Sequence, residues 1–299
     1  MMRIRRRARP GPRDLDALPV RELIALINRE DRRVPLAVGR VIPQIAAAVE
    51  VIVQALRRGG RLIYVGAGTS GRLGLLDALE CPPTFGVAPQ TVRAVVAGGV
   101  RSSVARTSPR EDDAGLGRAE MARLTVSARD VVVGIAASGA TPFTLGAVRE
   151  GRRRGARVIG LTTVPGSPLA RHADIAIVPE VGEEVLRGST RMKAGTAEKL
   201  VLNMLSTAAM IRLGHVYRDL MVDVRPLNEK LRRRVREVVA SATGVTPRAA
   251  SQLLSAAGGD AKIAIVMGQT GADAAAARQA LSAAGGFVRD AVRRVGRDR

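Results

Sequence analysis

The chain has 299 residues, enough for one good core with satellite helices, and carries 48 Lys and Arg against 27 Asp and Glu, a net charge of +21. Trp is absent and aromatics make up 2% of the chain, so Ala, Val, Leu and Gly must fill the core. The positive charge is nearly all arginine in short scattered runs (5–7, 152–154, 232–234), with no interleaved aromatics and no recognition motif, which reads as solvated faces rather than a nucleic-acid surface.

The single cysteine, Cys81, excludes an internal disulfide, fits a reducing compartment and is expected as a small buried residue. No stretch is long and apolar enough to span a membrane, and no apolar segment follows the basic residues 1–13 to make a secretory signal, so a cytoplasmic protein is expected.

In chain order, a first helix opens at Asp16 or Pro19 and holds Leu23, Ile24 and Ile27. A second helical stretch covers 35–58, apolar at three- and four-residue steps from Val38 to Leu56. Pro43 is placed to kink or divide it, and Gly59-Gly60 ends it. The apolar run 62–65 predicts a buried strand, followed by the loop Gly66-Ala67-Gly68-Thr69-Ser70-Gly71 and a helix over 72–79. The loop fits G-x-G-x-x-G. The second predicted strand, 91–97, runs into Gly98-Gly99-Val100-Arg101 without the acid that a dinucleotide ribose needs. Thr69 and Ser70 beside amides at a helix N-terminus suit a terminal phosphate better than NAD; a plain tight turn is the alternative. Pro82 and Pro83 are predicted to stop the helix and to hold Glu80 in a stiff turn.

A helix over 111–124 begins at Glu111-Asp112-Asp113, where acids favour the helix dipole, and on the residues alone that is the favoured reading of Glu111. A third buried strand at 130–136 leads into a second small, hydroxyl-bearing loop, Ala137-Ser138-Gly139-Ala140-Thr141-Pro142, and another helix. Residues 156–162 and 174–178 supply further strands. This alternation predicts an α/β fold, a parallel sheet covered by helices on both faces, with ligands at the carboxyl ends of its strands. Gly188-Ser189-Thr190-Arg191-Met192-Lys193 opens a long helix to about 213. Ser189 and Thr190 could be plain caps, but Arg191 and Lys193 at the same helix start favour an anion contact. From 228 the chain reads as a small helical appendage with no legible chemistry. The expected division is 1–54 (arm and helices), 55–225 (sugar-phosphate sheet domain) and 226–299 (helical domain).

Several of these motifs together resemble one family. The runs Gly66-Ala67-Gly68-Thr69-Ser70-Gly71-Arg72-Leu73-Gly74, Glu80-Cys81-Pro82-Pro83-Thr84-Phe85-Gly86, Gly188-Ser189-Thr190-Arg191-Met192-Lys193-Ala194-Gly195-Thr196-Ala197 and Leu220-Met221-Val222-Asp223-Val224 look like N-acetylmuramic acid 6-phosphate etherase, within the sugar isomerase (SIS) fold that also contains the glucokinase regulatory protein. The resemblance covers about 15–295. It implies a homodimer with sites near the subunit interface, no cofactor, and cleavage of the lactyl ether of N-acetylmuramate 6-phosphate to N-acetylglucosamine 6-phosphate and D-lactate. The family's catalytic glutamates fall on Glu80, as acid, and Glu111, which lifts Glu111 above its helix-dipole reading. The chain departs from the pattern at 7–13, at Glu183 in Gly182-Glu183-Glu184, at Arg187, Leu79 and Ala140, and over 106–110. Both acids stay.

That chemistry asks for two positioned acid/base groups and no redox cofactor, and it does not demand a metal; no His/Cys/Asp ligand spacing is visible, and His172 and His215 stand alone. An acid working near neutrality needs burial or nearby negative charge to keep its proton. Thr69, Ser70, Ser138, Gly139 and Thr141 are the expected phosphate and sugar contacts; Ser189, Thr190 and Lys193 are second-rank ones. The rival readings are a sugar-phosphate isomerase and a sugar-phosphate-sensing regulatory protein.

Overall fold

The computed structural model describes residues 14–99, 109–224, 226 and 228–297. The basic arm 1–13, the Val100-Arg101 end of the second strand's exit and most of the atypical 106–110 segment lie outside the described residues.

A 3-10 turn (Leu15–Ala17) precedes α1 (Val20–Asp31), α2 (Arg33–Gly39) and α3 (Ile42–Arg57). The predicted stretch 35–58 is therefore two helices broken at Arg40-Val41. Pro43 falls in the first turn of α3, where its missing amide forfeits no intrahelical bond. The chain continues through β1 (Leu62–Gly66), α4 (Gly68–Phe85), β2 (Val92–Val96), a 3-10 turn (Pro109–Asp112), α5 (Ala114–Arg123), β3 (Val131–Ile135), α6 (Pro142–Arg153), β4 (Arg157–Leu161), α7 (Pro168–His172), β5 (Ile175–Ile177) and α8 (Lys193–Arg212).

The five strands are all parallel, in the order β2-β1-β3-β4-β5. Strand order reverses between β1 and β3, and the crevice outside the carboxyl ends of those two strands is where ligands bind in such sheets. Side chains alternate across the sheet with period two. Leu62, Tyr64, Val131, Val133, Ile159 and Leu161 join a core with α2, α3, α4 and α8. Ile63, Val65, Val95 and Val132 join another with α5 and α6, and Val158 meets α6 and α7. The covered parallel sheet expected from the sequence is present.

Three local expectations change. First, α4 begins at Gly68, so Thr69 and Ser70 belong to its first turn rather than to a free loop. Second, α4 does not stop at the prolines but runs through Pro82 and Pro83 to Phe85, so Glu80 sits in the helix, not in a turn. The prolines remove two backbone bonds, but Ala78, Cys81 and Phe85 are buried on the inner face and hold the helical path. The Gly86 amide then closes the helix on the Pro82 carbonyl at 3.0 Å. Third, the helix after β2 starts at Ala114, not Glu111. Asp113 is its N-cap, accepting from the Gly115 and Leu116 amides at 2.7 and 3.1 Å. Glu111 is left in the separate 3-10 turn.

Two buried polar clusters hold α8 to the rest. Asp77 on α4 accepts from Tyr64 of β1 (2.9 Å) and from Asn203 (2.9 Å) and Ser206 (3.1 Å) of α8; burial nevertheless pushes its carboxyl up. Lys193, 1% exposed, donates to Glu30 of α1 at 3.0 Å. Burial alone would raise the Glu30 carboxyl, but Lys193 and Arg33 outweigh it and hold it below the usual range.

Beyond α8 a short hairpin, β6 (Val216–Tyr217) and β7 (Leu220–Met221), leads to α9 (Glu229–Thr243), α10 (Pro247–Ala256), α11 (Ala261–Thr270), α12 (Ala274–Ala283) and α13 (Val288–Arg297). These share their own core around Val239, Ala250, Ala264 and Ile265. Asp223, just after the hairpin, accepts from His215 at 2.7 Å and pairs with Lys262 of α11, which ties the helical domain to the end of α8.

Candidate active site

The switch-point crevice has two walls. The first is the turn from β1 into α4. It is so tight that a Cβ on Gly71 would lie 2.6 Å from the Gly66 carbonyl oxygen, so only glycine fits. The N-cap residue, Ala67, offers no side-chain acceptor, so the first amides of α4 are left open at the positive end of the helix dipole. Glu111 reaches this spot from its 3-10 turn: a Cβ placed on Gly68 would stand 4.0 Å from Glu111 Oε2. A carboxylate is thereby brought to the first loop from 43 residues away, which the acids-in-first-turn reading of the sequence did not foresee.

The second wall is the loop from β3 into α6. Gly139 is buried, with φ +65°, and a Cβ there would run into the Ser167 hydroxyl. The turn is further fixed by Gly139 N–H to Ala136 O (2.8 Å) and by the Thr162 and Thr163 hydroxyls, which donate to Ala137 O at 3.1 and 3.0 Å. Ser138 is exposed at the tip and accepts from the Ala140 amide at 3.2 Å, which leaves its hydroxyl proton to point outward. Thr141 is the N-cap of α6 and makes no side-chain capping bond. Ser138 and Thr141 thus flank a helix N-terminus whose amides lack a side-chain acceptor, an arrangement suited to an oxyanion.

A cleft of about 300 Å³ adjoins this loop, lined by Ala137, Thr163, Val164, Glu183, Thr190 and Ala194 among others. Thr190 therefore lines this cleft; Ser189, half-buried, precedes it in the turn that leads to α8. The anion role expected for the start of α8 is already filled from within the chain. Glu184 accepts from the Lys193 and Ala194 amides at 3.0 and 2.9 Å. The Lys193 ammonium is turned to Glu30 and away from solvent. Glu184 and Glu30 are the partners the sequence reading missed. Glu30 lies 163 residues upstream of Lys193, out of reach of local rules; Glu184 lies nine residues before it, and the acid pair Glu183-Glu184 ahead of a helix start is the signal that pointed to the cap.

Glu80 stands apart from both walls. It lies on the outer face of α4, exposed, beside Leu76 and Leu79, which are 54% and 62% exposed. Cys81, its neighbour, is buried, and its thiol is pushed up to about 12 by burial first and then by the nearby Asp77 carboxylate. A thiol in that state is no nucleophile near neutral pH.

One further residue belongs to the first wall. Ser70 Oγ lies 2.8 Å from Oε1 of Glu198, a residue of α8 with no exposed surface. Burial pushes the Glu198 carboxyl up to about 8, against the opposing effect of the Ser70 hydrogen bond. Its charged type among Ala197, Val201 and Leu202 on the inner face of a helix is a signal legible in the sequence. Among the described residues, no group of three His, Cys, Asp or Glu side chains is arranged to hold a metal ion, and no single helix is long and apolar enough to cross a membrane.

Comparison with known proteins places the fold and the chain. The model of the glucokinase regulatory protein N-terminal SIS domain matches residues 44–151, and that of the SIS domain matches 116–208. A phosphoheptose isomerase from Francisella tularensis superposes with a TM-score of 0.51 at 17% identity, over 65% of this chain and 100% of that one, which supports the fold alone. N-acetylmuramic acid 6-phosphate etherase from Rubrobacter xylanophilus is 53% identical over 260 residues, 87% of this chain and 86% of that protein. The etherase from Mycolicibacterium smegmatis is 53% identical over 254 residues, 85% of each. With half of its residues shared over nearly the whole length of such relatives, the chain belongs to the N-acetylmuramic acid 6-phosphate etherase family.

Proposed function

We propose that the chain removes the D-lactyl group of N-acetylmuramate 6-phosphate by elimination and hydration, leaving N-acetylglucosamine 6-phosphate. The observation that carries this reading is the pair of acids kept in an etherase-family chain, Glu111 against the first loop and Glu80 on an open helix face. In the open-chain sugar the C1 aldehyde acidifies the C2 proton. Glu111 takes that proton, the bond between C3 and the ether oxygen breaks, and Glu80 protonates the departing lactate oxygen. Water then adds its oxygen to C3 and a proton returns to C2, with no net oxidation. Ser138 and Thr141 hold the phosphate at the open end of α6, and Gly139, its amide committed to Ala136, shapes the turn between them. Thr69 and Ser70 meet the sugar at the start of α4, with Ser189 and Thr190 at the rim, and Lys193 supports the site from beneath through Glu30.

The two acids do not meet within one chain. Glu80 stands 12 residues beyond Gly68 on one continuous helix, roughly 18 Å along its axis, of which a side chain leaning toward the N-terminus recovers about one turn. Sugar C2 and C3 are bonded neighbours, so both acids must come close together. A second copy that lays its α4 across the crevice answers this, and the exposed Leu76 and Leu79 beside Glu80 give it an apolar surface to do so. The proposal is therefore a homodimer in which each site joins Glu111 of one protomer to Glu80 of its partner. A reducing, cytoplasmic setting goes with it, because Cys81 is the single, unpaired cysteine.

Isotopes test the chemistry. Turnover in ¹⁸O-water should label the sugar C3 hydroxyl and leave lactate unlabelled, and turnover in D₂O should put deuterium at sugar C2. Solvent oxygen in lactate with the C2 hydrogen retained refutes elimination. A sugar-phosphate sensor, the reading favoured by the glucokinase regulatory match, would release no lactate at all.

A further inference from the structure

Glu198 is a buried carboxyl with work left to assign. Its Oε1 is 2.8 Å from Ser70 Oγ, and its Oε2 has no hydrogen-bond partner among the described residues. No charged group is among the influences resolved on it. On α8 itself Lys193 is held by Glu30, and Lys199 is exposed. On α4 Asp77 is held by Tyr64, Asn203 and Ser206, while Arg72 faces outward. Glu50 of α3 is exposed, and Arg33 of α2 pairs with Glu30. Glu111 stands at Gly68, on the ligand side of the same turn. Burial and Ser70 are the two influences resolved on Glu198, and together they leave it a neutral acid at neutral pH.

A neutral carboxyl has one proton to place. On Oε2 it would be a buried O–H with no acceptor, which is costly. On Oε1 it donates to Ser70 Oγ and leaves Oε2 a bare carbonyl oxygen, the milder of the two unmet groups. Ser70 then keeps its own hydroxyl proton to donate outward. Once Glu198 ionises, its oxygens only accept, and the Ser70 proton must turn back to Oε1.

We propose that Glu198 is a positioning residue whose own proton orients the Ser70 hydroxyl, so that Ser70 donates to the bound sugar phosphate only while Glu198 is neutral. The inference rests on the etherase reading for its substrate, not for the state of Glu198.

The test compares wild type, Glu198→Gln and Ser70→Ala between about pH 7 and 9.5, a range that lies above the second ionisation of the substrate phosphate at about pH 6. In wild type the KM for N-acetylmuramate 6-phosphate should be level near neutrality and rise about tenfold by one pH unit above the Glu198 midpoint, as the competent fraction falls. The sign follows from the raised carboxyl: the competent neutral form dominates below about 8 and is lost above it. Glu198→Gln carries an amide that donates at every pH, so its KM should be flat. Ser70→Ala should have a raised KM that is also flat. A flat wild-type KM, or a Glu198→Gln profile that follows wild type, overturns the proposal. Infrared difference spectra settle the matter without turnover. A protonated-carboxyl band should be present at neutral pH, vanish above the midpoint and be missing in Glu198→Gln; no such band overturns the proposal even if the substrate proves to be another sugar phosphate. Absence of lactate with the band present sinks the etherase reading alone.

Discussion

The separation of the two acids along α4 has a measurable consequence in mixed dimers. Glu80→Gln and Glu111→Gln would each be purified and should each lose roughly 10²–10⁴-fold in turnover, the range for removal of a general acid or base. The two inactive proteins are then mixed under conditions that let subunits exchange. If each site joins Glu111 of one chain to Glu80 of the other, a mixed dimer contains one site with both acids and one with neither. Random assortment makes half the dimers mixed, and half the sites in those are intact, so about a quarter of wild-type activity should return. The roughly 18 Å from Gly68 to Glu80 along the helix decides this, because no rotamer of a glutamate spans it. Lactate release is the assay, and the same mixture without exchange is the control. If activity stays at the level of the parent variants after proven exchange, both acids of a site lie in one chain and the reasoning from helix length is wrong.

Two more outcomes are expected. Ser138→Ala should raise KM roughly ten- to a hundredfold with a smaller effect on kcat, since a phosphate-holding hydroxyl serves ground and transition states alike; equal processing of the unphosphorylated sugar would remove the loop from that role. Lys193→Met should lower stability by about 3 kcal/mol, the low end of the range for breaking a buried pair because Arg33 remains beside Glu30. Glu30 is held below the usual carboxylate range, so its contribution is present at neutral pH and is lost as pH falls through that lowered value. The urea midpoints of variant and wild type should therefore converge in acid, and a gap that persists there argues against an ionic origin.

The strand–loop–helix alternation was legible because strands such as 131–135 are apolar throughout and are followed by small, hydroxyl-bearing loops. The two small, hydroxyl-bearing turns after β1 and β3 were legible for the same reason. What failed was any inference in which a local rule met a distant partner. The prolines after Cys81 break helices in isolation, but the buried faces of Cys81 and Phe85 override them here. Lys193 was read as an anion contact from its place beside Arg191 at a helix start; its ammonium pairs with Glu30, 163 residues upstream. Ser70 was read from its own loop, whereas its hydroxyl is governed by Glu198 on a helix 128 residues later. Glu111 was singled out only through the motif resemblance, since its local setting is an ordinary acidic turn; its approach to Gly68 was not legible in the sequence.

The unequal covering of the two sheet faces bears on how a growing chain can fold. On one face α5, α6 and α7 are interleaved with the strands they cover, so each is made as its strand appears. On the other face, the groove between α3 and α4 is filled by α8, which is synthesised after every strand of the sheet. A nascent chain that has emerged only as far as β5 thus presents Tyr64, Val133 and Ile159 beneath an unfilled groove, and α1 with Glu30 waiting for its lysine. Long-range closure of this kind is slow and leaves apolar surface open to other chains. Until the ribosome has released the α8 segment, about two-thirds of the way along, solubility rests on the chain's strong positive charge rather than on its fold.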